Sequence, residues 1–152
     1  MDIEHLFPRL RGTAYRLTSS PDDSYNCIAW AAGVTKKWWW PFGDPQRTYW
    51  PEGVSREETL DAFRIAFVAL GYMTCDHAEA EPGFEKIAVF TDTAGCPLHA
   101  ARQLPDGQWT SKLGAMDDIE HALYGLEGMQ YGRVALVMKR RVPSARTHEI
   151  TG

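Results

Sequence analysis

No stretch of this 152-residue chain comes near the ~20 consecutive apolar residues that a membrane-crossing helix needs, so no membrane is expected as a partner. Positive charge is not in excess either. Sixteen lysines and arginines against 20 acidic residues give a formal charge of −4, which supplies no electrostatic reason to expect nucleic acid. The start, Met1-Asp2-Ile3-Glu4-His5, lacks the basic and apolar regions of a secretory leader. Cysteine is scarce: Cys27, Cys75 and Cys96 are three in number and cannot all pair within one chain. An odd count without a leader points to free thiols in a reducing compartment, and the expected location is cytoplasmic. Repeats and low-complexity tracts are missing too.

What the chain does have is apolar bulk. Apolar residues make up 44% and aromatic residues 12%, with six tryptophans, which argues against disorder. The length suits one domain with a proper core. That domain is expected over residues 1–142, with an irregular or short-helical arm at 1–24 and a polar tail at 143–152. A first helix should run from Asn26 to about Gly33, with asparagine as its cap and glycine as its stop. Residues 34–54 are crowded with proline and aromatic side chains and have no clean period, so they read as a long connection. Ser55-Arg56-Glu57-Glu58 reads as a capping box before a second helix, whose apolar stripe is Leu60, Phe63, Phe67 and Leu70.

Strands dominate the second half. Tyr72–Thr74 is a short strand, and Lys86–Thr91 a more apolar one. His99–Leu104 and Gln108–Leu113 flank Pro105-Asp106-Gly107, the composition of a three-residue hairpin loop. Asp117–Tyr124 is predicted as a short helix and Gly132–Lys139 as the last strand. Helices first and strands after suggest an α+β fold with an antiparallel sheet.

The chemistry concentrates in Tyr25-Asn26-Cys27-Ile28-Ala29-Trp30-Ala31-Ala32, which sets a thiol where a helix begins. Unpaired N–H groups and the positive dipole end there favour thiolate, the attacking form. His99 opens a strand and can serve as general base. If Leu104 pairs with Gln108, then His99, Ala101, Gln103, Trp109 and Ser111 share one face, while Arg102 and Lys112 point to the other. Ser111 can then orient His99, with Gln103 in reserve. Asn26 has two readings: it caps the helix, or it joins the Cys27 N–H in holding an oxyanion.

Cysteine opening a helix, histidine on an antiparallel strand and a polar residue on the next strand resemble the papain-like superfamily. Asn26–Ala31 is similar to the CHAP-type amidases and related bacterial cysteine peptidases, and His99-Ala100-Ala101 to their histidine-bearing strand. Together with Trp109–Gly114, the pattern looks like an uncharacterised bacterial branch. The resemblance implies N-terminal helices packed on a small antiparallel sheet, and cysteine-dependent hydrolysis of an amide, peptide or isopeptide bond without a cofactor or metal. The substrate would be a peptide or protein. Cys27 would be nucleophile, His99 base and later acid, and Tyr25 a candidate oxyanion donor.

Other readings stand beside this one. Acyl transfer or deamidation would use the same dyad. A catalytically inactive module of the same fold would instead bind a protein partner through the aromatic 38–50 loop. Trp38, Trp39 and Trp40, with Trp109, would wall a substrate groove in the enzyme reading; alternatively those rings fold down and enlarge the core. Cys75-Asp76-His77 and Cys96-Pro97-Leu98-His99 offer two cysteines and two histidines as an alternative zinc site, although their gaps are not those of a standard finger. His121, Asp117 and Asp118 read as surface or capping groups.

Overall fold

The computed structural model describes residues 3–19, 25–33, 38–44, 46, 48–113 and 118–142, with only the backbone of Ser19 and Trp38. In chain order the elements are α1 (Ile3–Leu6), β1 (Arg16–Ser19), α2 (Cys27–Ala31), β2 (Trp38–Trp39), β3 (Thr48–Tyr49), α3 (Leu60–Val68), β4 (Met73–Cys75), β5 (Phe84–Thr91), β6 (Pro97–Gln103), β7 (Trp109–Lys112), β8 (Asp118–His121) and β9 (Arg133–Arg141). Short 3-10 turns lie at Pro8–Leu10 and Leu123–Leu126. Seven strands form one sheet in the order β1-β8-β7-β6-β5-β9-β4, every pair antiparallel. The fold is α+β, as the order of elements suggested.

Strand alternation sorts the core onto both faces of this sheet. On one face Ile87, Val89, Ala100 and Met138 meet Ile28, Ala29 and Ala31 of α2 and Ala62, Phe63, Ala66 and Phe67 of α3. On the other, Ala88, Phe90, Ala101, Trp109 and Ile119 meet Phe7, Leu10, Leu123 and Leu126. The sheet is therefore a middle layer, and its central strands are apolar at successive positions because both sides are covered.

Several elements differ from expectation. The N-terminal arm is short-helical as expected over Ile3–Leu6, but it also supplies buried Phe7 and Leu10, strand β1 against β8, and an Arg9–Glu127 contact at 2.7 Å. The short helix expected over Asp117–Tyr124 does not form at Asp118–His121, and Asp117 lies outside the described residues. Asp118–His121 is β8, held between β1 and β7, with Ile119 fully buried. Two ladders satisfy more backbone groups there than one helical turn would. The capping box is also displaced. Thr59, not Ser55, caps α3, its hydroxyl accepting from the Ala62 N–H at 3.2 Å. Within the long connection, β2 and β3 pair in parallel. The expected tail at 143–152 lies outside the described residues.

The hairpin matches its prediction. Leu104 N–H donates to Gln108 O at 2.7 Å, Gly107 takes φ +92°, and Gln103 pairs with Trp109. That register decides which side chains share the buried face beneath β6 and β7.

Candidate active site

Asn26 sets the start of α2. Its amide oxygen accepts from Ala29 N–H at 3.0 Å and from Trp39 N–H at 2.9 Å, and its nitrogen donates to Trp39 O at 2.8 Å. The amide caps the helix and ties the aromatic loop to it. Tyr25 is committed elsewhere as well: its hydroxyl donates to Asp118 at 2.9 Å and its ring stacks on Trp30. Lys112, with its side chain fully buried, lies over the same ring and 3.9 Å from Asp118.

Cys27 is the first residue of α2, on the helical side of the sheet. Its thiol is pushed up to about 11. Burial is the main cause; the N–H groups of Ala100, Ile28 and Cys27 itself, and the charge of Lys112, pull the other way. The expectation of a thiolate is therefore corrected: α2 has only five residues, and its terminal N–H groups do not offset desolvation. The groups around the sulfur are informative. Ala100 follows His99, and Lys112 follows Ser111.

His99 is fully buried on the opposite, non-helical face, beside Phe90. Its Nε2 lies 2.9 Å from Ser111 Oγ, as the diagonal register anticipated. Ser111 Oγ lies in turn 2.7 Å from His121 Nε2, and His121 Nδ1 is 2.8 Å from Ala122 O. Burial pushes both imidazoles toward the neutral form, His121 down to about 4. The Tyr131 ring stacks on His99, centroids 3.9 Å apart and planes within 4°. Burial raises the Tyr131 phenol, and the charge of Cys27 adds to that, so Tyr131 lies near both groups. His99 Nδ1 is buried and has no hydrogen-bond partner. Among the described residues, no hydrogen bond joins Cys27 to His99.

The remaining candidates are resolved by their contacts. Gln103 donates to Ala78 O at 2.8 Å, which removes it as an alternative partner for His99. Trp109 is core, packed with Phe90 and Ile119, and does not wall a groove. Trp39 is buried against Tyr49 and Trp40 half-buried edge-on to Phe63, so these two rings fold down and enlarge the helical-side core. The side chain of Trp38 lies outside the described residues. The four-residue zinc grouping is not assembled. Cys75 sits on β4, separated from His99 on β6 by β9 and β5. The ligand atoms of Cys75, His77 and Glu81 lie within 4.8 Å of one another. However, Lys86 and Lys139 donate to Glu81 at 2.8 and 3.0 Å, so two ammonium groups already occupy that carboxylate.

Sequence reasoning missed His121 and Tyr131. The first was assigned to a helix that is a strand. The second lies within a turn closed by mutual hydrogen bonds between Gly128 and Gly132, and carries no motif.

The family described as a domain of unknown function, DUF7689, matches residues 16–139. The chain belongs to this family. The DUF7689 match takes in Cys27, His99, Ser111, His121 and Tyr131, and the strands that hold them. No curated protein and no solved structure matches the chain.

Proposed function

We propose that the chain is a papain-like cysteine hydrolase acting on an amide, peptide or isopeptide carbonyl, with Cys27 as nucleophile and His99 as base. The observation that carries this reading is the free Nδ1 of His99: a buried nitrogen without a partner on a ring whose other nitrogen is held by Ser111. The thiol lies by the backbone N–H of the next residue, Ala100, and near Tyr131, which stacks on His99. Catalytic hydrogen bonds often tighten only once substrate is bound.

The raised thiol and neutral imidazole favour proton transfer in step with attack over a preformed ion pair. Sulfur on the helical face and Nδ1 on the opposite face must meet where the β6–β7 ladder stops at Arg102–Thr110; there the Cys27 proton passes to His99 Nδ1 as sulfur bonds to the carbonyl carbon, giving a tetrahedral oxyanion. The Cys27 N–H, at the start of α2, is the candidate donor to that oxygen. Collapse breaks the C–N bond, and His99 hands its proton to the leaving nitrogen. Water, deprotonated by His99, then cleaves the thioester and restores the thiol. Transfer to an acceptor other than water would use the same first half.

The full burial of His99 and the half-burial of Cys27 favour a second reading, a catalytically silent protein-binding module. Its surface would include Phe42 and Tyr49 of the aromatic loop, 50% and 43% exposed. Acylation by p-nitrophenyl acetate separates the two. Hydrolase chemistry predicts a hydroxylamine-sensitive acetyl group on Cys27 that disappears with time and fails to form in His99→Ala. Acetylation spread evenly over the three cysteines and indifferent to His99 would refute it.

A further inference from the structure

We infer that His121 is a positioning residue: acting through Ser111, it fixes the protons of His99 so that Nδ1 carries the lone pair. The inference rests on the reading of His99 as base and deepens it by assigning the proton order.

The argument starts from an atom that can only accept. The carbonyl oxygen of Ala122 lies 2.8 Å from His121 Nδ1, so that nitrogen must carry a hydrogen and donate it. Burial keeps His121 neutral, and a neutral imidazole with its hydrogen on Nδ1 has a lone pair on Nε2. Ser111 Oγ, 2.7 Å away, must donate to that lone pair. A hydroxyl has one hydrogen. With that hydrogen committed to His121, the oxygen faces His99 only as an acceptor, so His99 Nε2, at 2.9 Å, bears the hydrogen. His99 is neutral as well, which leaves Nδ1 bare, and this is the partnerless buried atom.

Reversing the direction would require hydrogens on both nitrogens of His121, a buried cation. A backbone carbonyl thus does the orienting that a carboxylate performs elsewhere. The order passes from residue 122 through two side chains to the base. His121 can do this because Trp109 pairs with His121 and Ser111 with Ile119, which puts residues 111 and 121 diagonally on one face.

Long-range proton–nitrogen spectra of the imidazoles in the full chain at pH 7 test this directly. The expected pattern is His99 protonated at Nε2 and His121 at Nδ1, each as a single tautomer. Leucine in H121L removes the acceptor, frees the Ser111 hydroxyl to donate to His99, and should move the His99 hydrogen to Nδ1. Acylation of Cys27 should then fall on the order of 100-fold. H121Q restores an acceptor near the lost nitrogen and should recover the wild-type His99 signature and most of the rate. A wild-type His99 protonated at Nδ1, or an unchanged His99 signature in H121L, overturns the inference. The wild-type spectrum decides alone if H121L fails to fold. The tautomers are read without turnover, so an inert Cys27 beside the expected pattern would sink the hydrolase and leave the relay standing.

Discussion

Burial and the neighbouring His121 set the protonation behaviour of His99, and that behaviour has consequences for stability. The folded chain resists protonating His99 and His121, whose ordinary value is 6.5, whereas the unfolded chain accepts those protons freely. Their contribution is complete above pH 6.5 and is lost as pH falls toward the folded values, His121 giving way near 4. Each histidine adds a slope of ~1.4 kcal/mol per pH unit within its window. Urea unfolding at pH 7 and pH 5 should show a clear drop at pH 5; equal midpoints would contradict the burial of both rings. The serine between them supports the same network. Ser111→Ala leaves two buried nitrogens unpaired and should cost about 2–4 kcal/mol in chemical denaturation. The Cys27 thiol, held near 11, needs a base to react, so iodoacetamide labelling of Cys27 at pH 8 should slow in His99→Ala, and peptide mapping over time would read the change.

Among the elements, the two helices on one side of the sheet rest on caps of unequal weight. Thr59→Ala removes one bond to the Ala62 N–H and should cost ~1 kcal/mol, while Ser55→Ala should be near neutral. Asn26→Ala loses the cap and both links to Trp39, and about 2–3 kcal/mol is expected. Thermal or urea melts of the three variants would rank them. Much of this scale was legible in the sequence. The helix starting at Cys27, the Phe63–Phe67 stripe and the Pro105-Asp106-Gly107 hairpin each follow a strong local rule, and the hairpin register brought Ser111 to His99. What failed was local signal without tertiary context. Asp118-Ile119-Glu120-His121 is too short for a period to declare itself, and its partners are 6–12 and about 100 residues away. The thiol's protonation was equally invisible, because it depends on how deeply α2 sinks against β6.

Across the whole molecule, the layer opposite the helices is built from both ends of the chain. Leu10 contributes there as much as any strand residue, and Leu10→Ala should destabilise by about 2–5 kcal/mol. A near-neutral result would contradict the burial of Leu10 in that layer. Gly132 pins the other contributor. A Cβ at that position would lie 1.9 Å from the Thr91 carbonyl oxygen, with φ at +73°. Gly132→Ala should therefore disturb the segment that carries Tyr131 onto His99, whereas Gly53→Ala meets no atom within 4 Å. Circular dichroism melts of this pair would separate the steric clash from the backbone strain that both share, since Gly53 also has positive φ.

Arg9 meets Glu127 and Arg16 meets Glu120, so more than a hundred residues separate partners that end up side by side. Closing loops of that length is entropically slow, and the layer around His99 gains little until its last contributors arrive. During synthesis, Phe7 and Leu10 must wait uncovered until the segment containing Leu126 and Tyr131 leaves the ribosome. Chaperones would therefore meet the front of this chain long before its base has been built.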